Sequence, residues 1–224
     1  MTCRSFTRFQ TSIPVAMVGL HSDTHDAISL EKRQIRLRMK SASENVPAEQ
    51  IVNESRILTA QVLSSEWYRR CSRLSIYVST FGEADTTSII RESILNGKQV
   101  FIPNFQRGSN KMDMLRVASE DEFENLGAVL WGIRQHTHPC DELSWRHSGA
   151  LDVIVVPGVA FTIKGQRLGH GKGFYDRFIA EHRQMFCTAP LSVALALSYQ
   201  IVESLPTTET DASIDHVLLP TTTV

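Results

Sequence analysis

Cysteine is scarce in this 224-residue chain, and none of the four cysteines forms a C-x-x-C pair with another. The spacing of Cys3, Cys71, Cys140 and Cys187 excludes the common zinc modules and a disulfide framework. It favours reduced thiols in an intracellular protein. Long apolar runs are also missing, since none approaches the roughly 18–20 residues that a membrane-spanning helix requires. We therefore expect no membrane segment.

An excess of basic charge is missing as well, because the formal net charge is −1 at pH 7. General nucleic-acid binders usually carry a basic surface, so the charge disfavours this class. Any binding of anions must depend on a few well-placed Lys and Arg side chains. Hydrophobic residues make up 42% of the chain and charged residues 21%, which is typical of one globular domain with its own core.

Acidic residues are absent before Asp23, where Arg4 and Arg8 occur among several Ser and Thr. This composition is found in organelle transit peptides, although a disordered tail is the simpler explanation. We expect residues 1–27 to form a flexible N-terminal segment, a candidate transit peptide, and residues 28–224 to form the folded domain. The expected compartment is the cytoplasm, or the mitochondrion if the segment is a transit peptide.

Helical and strand patterns alternate along the rest of the chain. Residues 151–156 are nearly all apolar, as in a strand buried on both faces of a parallel sheet. Pro103 should end the strand that begins at Val100, because proline cannot donate to a strand ladder. The alternation predicts an α/β fold, in which a single domain has a mostly parallel sheet with helices on both faces. The predicted helices cover 29–39, 47–67, 86–95 and 174–182, and the predicted strands cover 74–79, 100–102, 112–117, 151–156, 191–197 and 214–219.

A glycine-rich segment lies between the strand at 151–156 and the helix at 174–182, with four glycines between positions 165 and 173. Glycines let the backbone approach a polyphosphate, and successive N–H groups and a helix N-terminus attract anions. Arg167 and Lys172 add two full positive charges. The glycine spacing matches neither the Walker A nor the Rossmann fingerprint. The segment therefore predicts an unusual nucleotide or phosphate site, and the pattern alone specifies no reaction.

Three basic residues, Lys32, Arg36 and Lys40, are spaced so that they share one face of the predicted first helix. Because like charges at this spacing repel, either solvent screens them or an anion lies among them. Helix physics alone favours the solvated face.

The run R-L-G-H-G-K-G-F-Y-D from Arg167 to Asp176 follows Pro157-Gly158 and resembles the signature of the 5-formyltetrahydrofolate cyclo-ligase family. The run K-R-Q-I-R from Lys32 to Arg36 is similar to the family's N-terminal helix motif. Other similarities occur in order and at comparable spacing across residues 30–219: Y-V-S at 77–79, F-I-P at 101–103, M-D-M at 112–114 and W-G-I at 131–133.

The resemblance implies a single α/β domain and an ATP-dependent reaction that requires Mg²⁺. In that reaction 5-formyltetrahydrofolate becomes 5,10-methenyltetrahydrofolate, with release of ADP and phosphate, through phosphorylation of the formyl oxygen and ring closure by N10. Phosphoryl transfer depends mainly on positioning and charge neutralisation, so no protein nucleophile is needed. The expected partners are the folate substrate and MgATP, without nucleic acid or membrane, and the expected state is a monomer.

The resemblance also assigns residues to this reaction. Lys172 and Arg167 would be catalytic, and Asp176 and Asp215 would hold Mg²⁺, because a hard cation prefers carboxylate oxygens. Glu83 would accept hydrogen bonds from the pterin. ATP would contact Lys32, Arg33, Gln34, Ile35, Arg36, Arg167, Leu168, Gly169, His170, Gly171, Lys172, Gly173, Phe174 and Tyr175. The folate substrate would contact Arg36, Val78, Glu83, Phe105, Trp131, His170, Gly171, Lys172, Gly173 and Phe174.

Two positions depart from the family pattern. His170 stands where many relatives carry Arg, and Phe174 replaces a common Tyr. A neutral imidazole would weaken contact with an anion and make affinity sensitive to pH near neutrality. Three alternatives stay open: a non-catalytic nucleotide-binding or regulatory relative, a phosphosugar or CoA-transfer enzyme on a similar fold, and a metal site among His136, His138, Cys140 and His147.

Overall fold

A computed structural model describes residues 16–221 of the chain. Within these residues six strands form the central sheet: β1 (Arg73–Ile76), β2 (Gln99–Phe105), β3 (Met112–Val117), β6 (Val153–Val155), β9 (Leu191–Leu195) and β10 (His216–Leu218). Their order is β10-β9-β6-β1-β2-β3, and neighbouring strands are parallel except β2 and β3. Two short antiparallel hairpins accompany the sheet: β4 (Gly127–Leu130) with β5 (Ile133–Gln135), and β7 (Ala160–Phe161) with β8 (Arg167–Leu168).

Helices cover both faces of this sheet: α1 (Ala16–Asn45), α2 (Ala48–Ser64), α3 (Glu66–Arg70), α4 (Thr87–Leu95), α5 (Glu120–Glu124) and α6 (Phe174–Phe186). Alternate residues of the strands belong to two separate core clusters. Leu74 and Ile76 share a cluster with buried residues of α2 and α4, whereas Phe101 and Ile154 share one with buried residues of α6. Burial on both faces explains the nearly continuous apolar strands. The predicted α/β fold with a mostly parallel sheet is confirmed.

The prediction that Pro103 ends its strand is wrong. β2 continues through Pro103 to Phe105, and Pro103 pairs with Met114 of β3. The parallel pairing of β1 with β2 reaches only as far as Phe101. Beyond that point β2 has a strand neighbour on one side only, as an edge strand has. Proline, which lacks a backbone N–H, is tolerated there because no strand on the other side needs a hydrogen bond from it.

The first helix is longer than the sequence pattern predicts. α1 begins at Ala16 and ends at Asn45, whereas the periodicity predicts residues 29–39. Residues 1–15 and 222–224 lie outside the described part of the chain, so the transit peptide and the domain boundary at residue 28 stay predictions. From residue 16 to residue 221, no helix combines the length and the apolar composition needed to cross a bilayer.

Hydrogen bonds of His182 connect the C-terminal end of α6 to the segment that leads into β6. The imidazole is fully buried. Its Nε2 accepts from the Leu151 N–H at 2.9 Å, and its Nδ1 lies 3.0 Å from the Thr188 carbonyl oxygen, to which it donates. These two partners require the neutral imidazole, because Nε2 must be an acceptor. Burial also lowers the pKa of His182, despite the hydrogen bond to Thr188.

Replacing His182 with glutamine should reduce the sensitivity of the fold to acid. A lowered pKa in the folded state means that the unfolded chain binds the extra proton, so stability falls as the pH drops through the ordinary imidazole pKa of about 6.5. Between pH 7.5 and 5.5, the wild type should lose about 1 kcal/mol more of its free energy of unfolding than the variant. Urea denaturation at both pH values measures this, with the exposed His138→Gln as the control. An equal loss in wild type and His182→Gln would contradict the assignment.

Candidate functional site

A cavity of about 660 Å³ lies at the carboxyl ends of β1, β2 and β6. Tyr77 and Val78 follow β1 into its wall, and Pro157 follows β6. Ligands of open α/β sheets bind at these strand ends, because the connecting loops there leave a crevice. The remaining wall comes from the glycine-rich segment, from α1 and from a polar turn at residues 208–211.

The glycine-rich segment packs directly against α1. Arg36 Nε donates to the Gly169 carbonyl oxygen at 2.8 Å. At Gly171 the backbone has φ = +96°, and a Cβ atom would lie 3.3 Å from the Arg36 guanidinium carbon. Gly173, at φ = +62°, turns the chain into α6. Glycine is favoured at these two positions because it adopts positive φ with the least strain.

Gly165 has a different role from the other glycines of the segment. It does not line the cavity but forms the turn between β7 and β8, with φ = +85°. A Cβ atom there would lie 2.3 Å from the Ile214 carbonyl oxygen, and the Ile214 N–H donates to the Gly165 carbonyl at 2.9 Å. Gly165 therefore allows the hairpin to approach the strand that precedes the C-terminus.

Two ion pairs join basic and acidic groups on the cavity wall. Lys32 Nζ contacts Asp211 Oδ2, and Arg167 Nη2 contacts Asp176 Oδ1 at 2.8 Å. The Arg167 side chain is almost fully buried and also donates to the Pro157 carbonyl oxygen. Lys32 and Arg167 thus have carboxylate partners in this structure, whereas Lys172 is exposed on the wall.

The polar turn is tied to the start of α6 and to α1. Thr208 donates to Asp211 Oδ2 from its N–H at 2.7 Å and from its hydroxyl at 3.1 Å. The Ala212 N–H donates to Asp176 Oδ1 at 3.2 Å. Because Ala212 follows Asp211 in the chain, these contacts bring the Asp176 and Asp211 carboxylates to the same part of the cavity.

Glu83 and His170 face each other across the cavity. Thr80 donates to Glu83 Oε2 from its N–H and its hydroxyl, at 2.8 and 2.9 Å. Glu83 Oε1 lies 4.0 Å from His170 Nε2. Burial raises the pKa of Glu83, and the Thr80 hydrogen bonds offset part of that rise. Partial removal from water, followed by the charges of Arg36 and Arg167, lowers the pKa of His170, although its side chain is 72% exposed.

Three aromatic rings form an apolar wall. The Phe105 ring lies 5.6 Å from Trp131 and 5.0 Å from Phe174, between ring centroids and in edge-to-face geometry. Trp131 and Gly132 form the turn between β4 and β5, and Trp131 has φ = +55°. The Trp131 side chain is 62% exposed. A flat apolar group could pack against this wall, since aromatic pairs stabilise such contacts.

Most residues assigned from the sequence lie on this one cavity. Arg33, Gln34 and Ile35 do not, because they occupy other faces of the helix that carries Lys32 and Arg36. Asp215 is also absent from the lining, and its Oδ2 accepts from the Ser192 N–H at 2.8 Å. For these four residues the assigned roles stay predictions. Those that line the cavity are Lys32, Arg36, Val78, Glu83, Phe105, Trp131 and every residue from Arg167 to Asp176.

Several residues of the wall carry no signal of a site in the sequence, and Asp211 is the most important of them. It lies in the run T-T-E-T-D, which has neither periodicity nor a known spacing to a motif. Its contact with Lys32 spans 179 positions of the chain, so no local pattern indicates it. The other missed residues are Ile28, Ser29, Tyr77, Thr80, Pro103, Ile133, Pro157, Thr208 and Thr210.

The His-rich loop provides no metal site in this structure. Across residues 16–221, no group of three or more His, Cys, Asp or Glu side chains is arranged to hold a metal ion. His136 is buried, with its Nδ1 3.6 Å from Glu122 Oε1. Its neighbours His138 and Cys140 are exposed.

Comparison with known proteins identifies the family of this chain. A family model described as the 5-formyltetrahydrofolate cyclo-ligase family matches residues 28–220. A Caenorhabditis elegans protein named probable 5-formyltetrahydrofolate cyclo-ligase is 42% identical over 193 residues, which are 86% of this chain and 94% of that protein. The Mus musculus 5-formyltetrahydrofolate cyclo-ligase is 35% identical over 191 residues, 85% of this chain and 94% of the relative. The solution structure of Aquifex aeolicus 5,10-methenyltetrahydrofolate synthetase is similar, with a TM-score of 0.66, 26% identity and coverage of 85% of this chain and 90% of that one.

Proposed function

Because the chain belongs to the 5-formyltetrahydrofolate cyclo-ligase family, we propose that it closes the 5,10-methenyl ring of tetrahydrofolate at the expense of ATP. The protein is accordingly an enzyme of the ligase class. The observation that carries the proposal is the convergence of the glycine-rich segment, Arg36, Lys32 and Lys172 on one cavity, opposite Glu83 and the aromatic wall. Such a cavity offers one side to a polyphosphate and another to a flat heterocycle.

The reaction proceeds in two steps that balance in atoms and charge. The formyl oxygen of 5-formyltetrahydrofolate attacks the γ-phosphorus of ATP, and ADP leaves. N10 then attacks the activated formyl carbon and loses its proton, and phosphate leaves with the former formyl oxygen. The products are 5,10-methenyltetrahydrofolate, ADP and phosphate. Neither step requires a covalent enzyme intermediate, so the protein contributes positioning and charge.

Basic side chains of the cavity provide that charge. Lys172, exposed on the wall, neutralises charge on the transferred phosphoryl group, and the backbone N–H groups of residues 169–173 bind phosphate oxygens. Arg36 is held against Gly169, where it binds the nucleotide and keeps the glycine-rich segment in place. The N-terminus of α6 adds the positive end of its dipole.

Mg²⁺, which neutralises phosphate charge when it is bound, fits Asp176 and Asp211. Both carboxylates line the cavity. Within the described chain, hydrogen bonds and ion pairs engage Oδ1 of Asp176 and Oδ2 of Asp211, which leaves one oxygen of each for a cation. Mg²⁺ commonly uses one or two carboxylates and completes its shell with water and substrate phosphates. Asp211 therefore joins Asp176 as a ligand in this proposal, and the role of Asp215 stays a prediction of the family resemblance.

The folate half of the substrate occupies the side of the cavity formed by Glu83, Val78 and the aromatic wall. Glu83 Oε1 is free of the Thr80 hydrogen bonds and accepts from pterin N–H groups. Phe105, Trp131 and Phe174 pack against the aromatic parts of the substrate. We further propose a monomer in the cytoplasm, or in the mitochondrion if the N-terminal segment directs it there.

The KM for 5-formyltetrahydrofolate should rise as the pH falls toward the raised pKa of Glu83. The carboxylate accepts stronger, charge-assisted hydrogen bonds from the pterin than the protonated acid does, so affinity is highest above this pKa and falls below it. Glu83→Gln should have a KM about tenfold higher at neutral pH and little further change on acidification. Steady-state kinetics from pH 8 to pH 5 provide the measurement. His170→Gln serves as the parallel variant because His170 faces Glu83 and also titrates. If the pH response of KM disappears only in His170→Gln, the response belongs to His170 and not to Glu83.

One assay tests the proposed function. Purified protein is mixed with 5-formyltetrahydrofolate and MgATP, and the near-ultraviolet absorbance of the methenyl product is followed against a reaction without ATP. Product that depends on ATP is the expected result. If the protein binds ATP and forms no product, the reaction is wrong and a nucleotide-binding relative is the better description.

A further inference from the structure

The carboxylates and cations of the phosphate side of the cavity neutralise each other in the free protein. Lys32 contacts Asp211, and Arg167 contacts Asp176. The proposed function assigns the two carboxylates to Mg²⁺. The family resemblance assigns the two basic groups, Lys32 and Arg167, to ATP. Mg²⁺ can bind the carboxylates only where it replaces Lys32 or Arg167, and ATP can bind these basic groups only where they leave their carboxylates. The binding of Mg²⁺ and the binding of ATP therefore cannot be independent.

The Lys32–Asp211 pair is partly enclosed, which makes this exchange energetically important. The side chains are 14% and 24% exposed. Thr208 adds two hydrogen bonds to the same Asp211 oxygen, so the carboxylate is held in place when Lys32 leaves. A partly buried carboxylate that loses its partner is costly, and an incoming phosphate would add repulsion between like charges.

We propose that Asp211 makes this site selective for metal-bound ATP, because it releases Lys32 to the phosphates only when a divalent cation takes over its carboxylate. The inference rests on the proposed function. Metal-free ATP has to separate Lys32 from Asp211 and leaves that carboxylate beside the phosphates. The metal complex provides a cation for Asp211 as Lys32 leaves. Arg167 and Asp176 form a second pair of the same kind, linked to the first through the Ala212 N–H.

Calorimetric titration of the full chain with ATP tests the proposal without turnover, because the folate substrate is omitted. ATP is titrated once with excess EDTA and once with excess Mg²⁺. In the wild type, Lys32 is engaged by Asp211 when no metal is present, so it contributes little to the binding of metal-free ATP. Lys32→Gln should therefore weaken binding of the Mg²⁺ complex about tenfold and change the Kd of metal-free ATP by less than about threefold.

Asp211→Asn should change mainly the binding of metal-free ATP, whereas Lys32→Gln changes mainly the binding of the Mg²⁺ complex. The amide is close in size to the carboxylate and its oxygen can still accept from Thr208, but it carries no charge to hold Lys32 or to repel phosphate. Metal-free ATP should bind this variant about tenfold more tightly than the wild type. The preference for the Mg²⁺ complex should shrink accordingly. In a Lys32→Gln background, the gain from Asp211→Asn should be smaller than in the wild type, because only the relief of repulsion between Asp211 and the phosphates remains.

Glu209→Gln is the matched control, because Glu209 is exposed in the same turn and lies outside the cavity lining. It removes the same charge and should leave both Kd values unchanged. Equal weakening of both forms of ATP by Lys32→Gln would overturn the proposal, as would an Asp211→Asn variant that keeps the wild-type preference for Mg²⁺. Absence of ATP binding under both conditions would overturn the proposed function together with this inference, whereas binding without the predicted shifts overturns the inference alone.

Discussion

Replacing Lys172 with alanine should lower kcat about a thousandfold and leave the free energy of unfolding within about 0.5 kcal/mol of the wild type. Loss of one preorganised charge from the transferred phosphoryl group accounts for the effect on kcat. The fold should tolerate the change because the Lys172 side chain is exposed. The Lys172 carbonyl oxygen, which accepts from Arg177 at 2.7 Å, belongs to the backbone and is retained.

The control for Lys172 is Lys164→Ala. Lys164 is an exposed lysine in the turn between β7 and β8, and it does not line the cavity. This variant loses the same charge close to the glycine-rich segment, yet its kcat should match the wild type. Steady-state rates of methenyl product formation compare the two. A folded Lys172→Ala protein with nearly normal kcat would remove Lys172 from the mechanism.

Among single substitutions in the glycine-rich segment, Gly165→Ala should lower the free energy of unfolding most, by about 3 kcal/mol. Alanine at φ = +85° is strained, and its Cβ atom would lie 2.3 Å from the Ile214 carbonyl oxygen. Since that oxygen belongs to the backbone, relief requires the hairpin β7–β8 to move away from residues 213–214. Urea denaturation monitored by circular dichroism measures the change in the free energy of unfolding.

Gly97→Ala separates backbone strain from the steric contact. Gly97 has φ = +71° at the end of α4, and no atom lies within 4 Å of the Cβ position. In Gly97→Ala, backbone strain alone should therefore lower the free energy of unfolding by about 1 kcal/mol. A Gly165→Ala variant no less stable than Gly97→Ala would mean that the Ile214 contact does not limit the fold.

The sequence predicts the fold well where local pattern and burial agree. The run at 151–156 indicates a strand buried on both faces, and β6 lies in the centre of the sheet between β1 and β9. β3 begins at Met112 and ends at Val117, as its alternation predicts. In both cases the period of the apolar residues follows directly from the faces that the sheet buries.

Other features depend on the neighbours of a residue and could not be predicted locally. Pro103 lies inside β2 because β1 no longer flanks that part of the strand, which is a property of the register. Gly165 looks like a phosphate-loop glycine in the sequence, but its environment is the Ile214 carbonyl oxygen. Trp131 adopts φ = +55°, a conformation that a bulky residue rarely takes and that no pattern indicates.

The candidate site shows the same division. The family motif draws attention to Lys32, Arg36 and the glycine-rich segment, and the structure brings them to one cavity. Asp211 could not be found in this way, because it belongs to an irregular turn and meets Lys32 only in the folded chain. Asp215, four positions later, is assigned through the family resemblance, and its metal-binding role stays a prediction; in the structure its Oδ2 accepts from the Ser192 N–H.

The long separation between Lys32 and Asp211 has a consequence for biosynthesis. Their contact joins positions 179 residues apart, and Arg36 meets Gly169 across 133 positions. Chains are synthesised from the N-terminus, so the glycine-rich segment is made before the turn that contains Asp211. Until that turn has left the ribosome, it cannot pack against Lys32. Under the role proposed for Asp211, selectivity for metal-bound nucleotide would arise late in synthesis. Bound MgATP would then connect an early helix to a late turn and stabilise the newly completed domain by mass action.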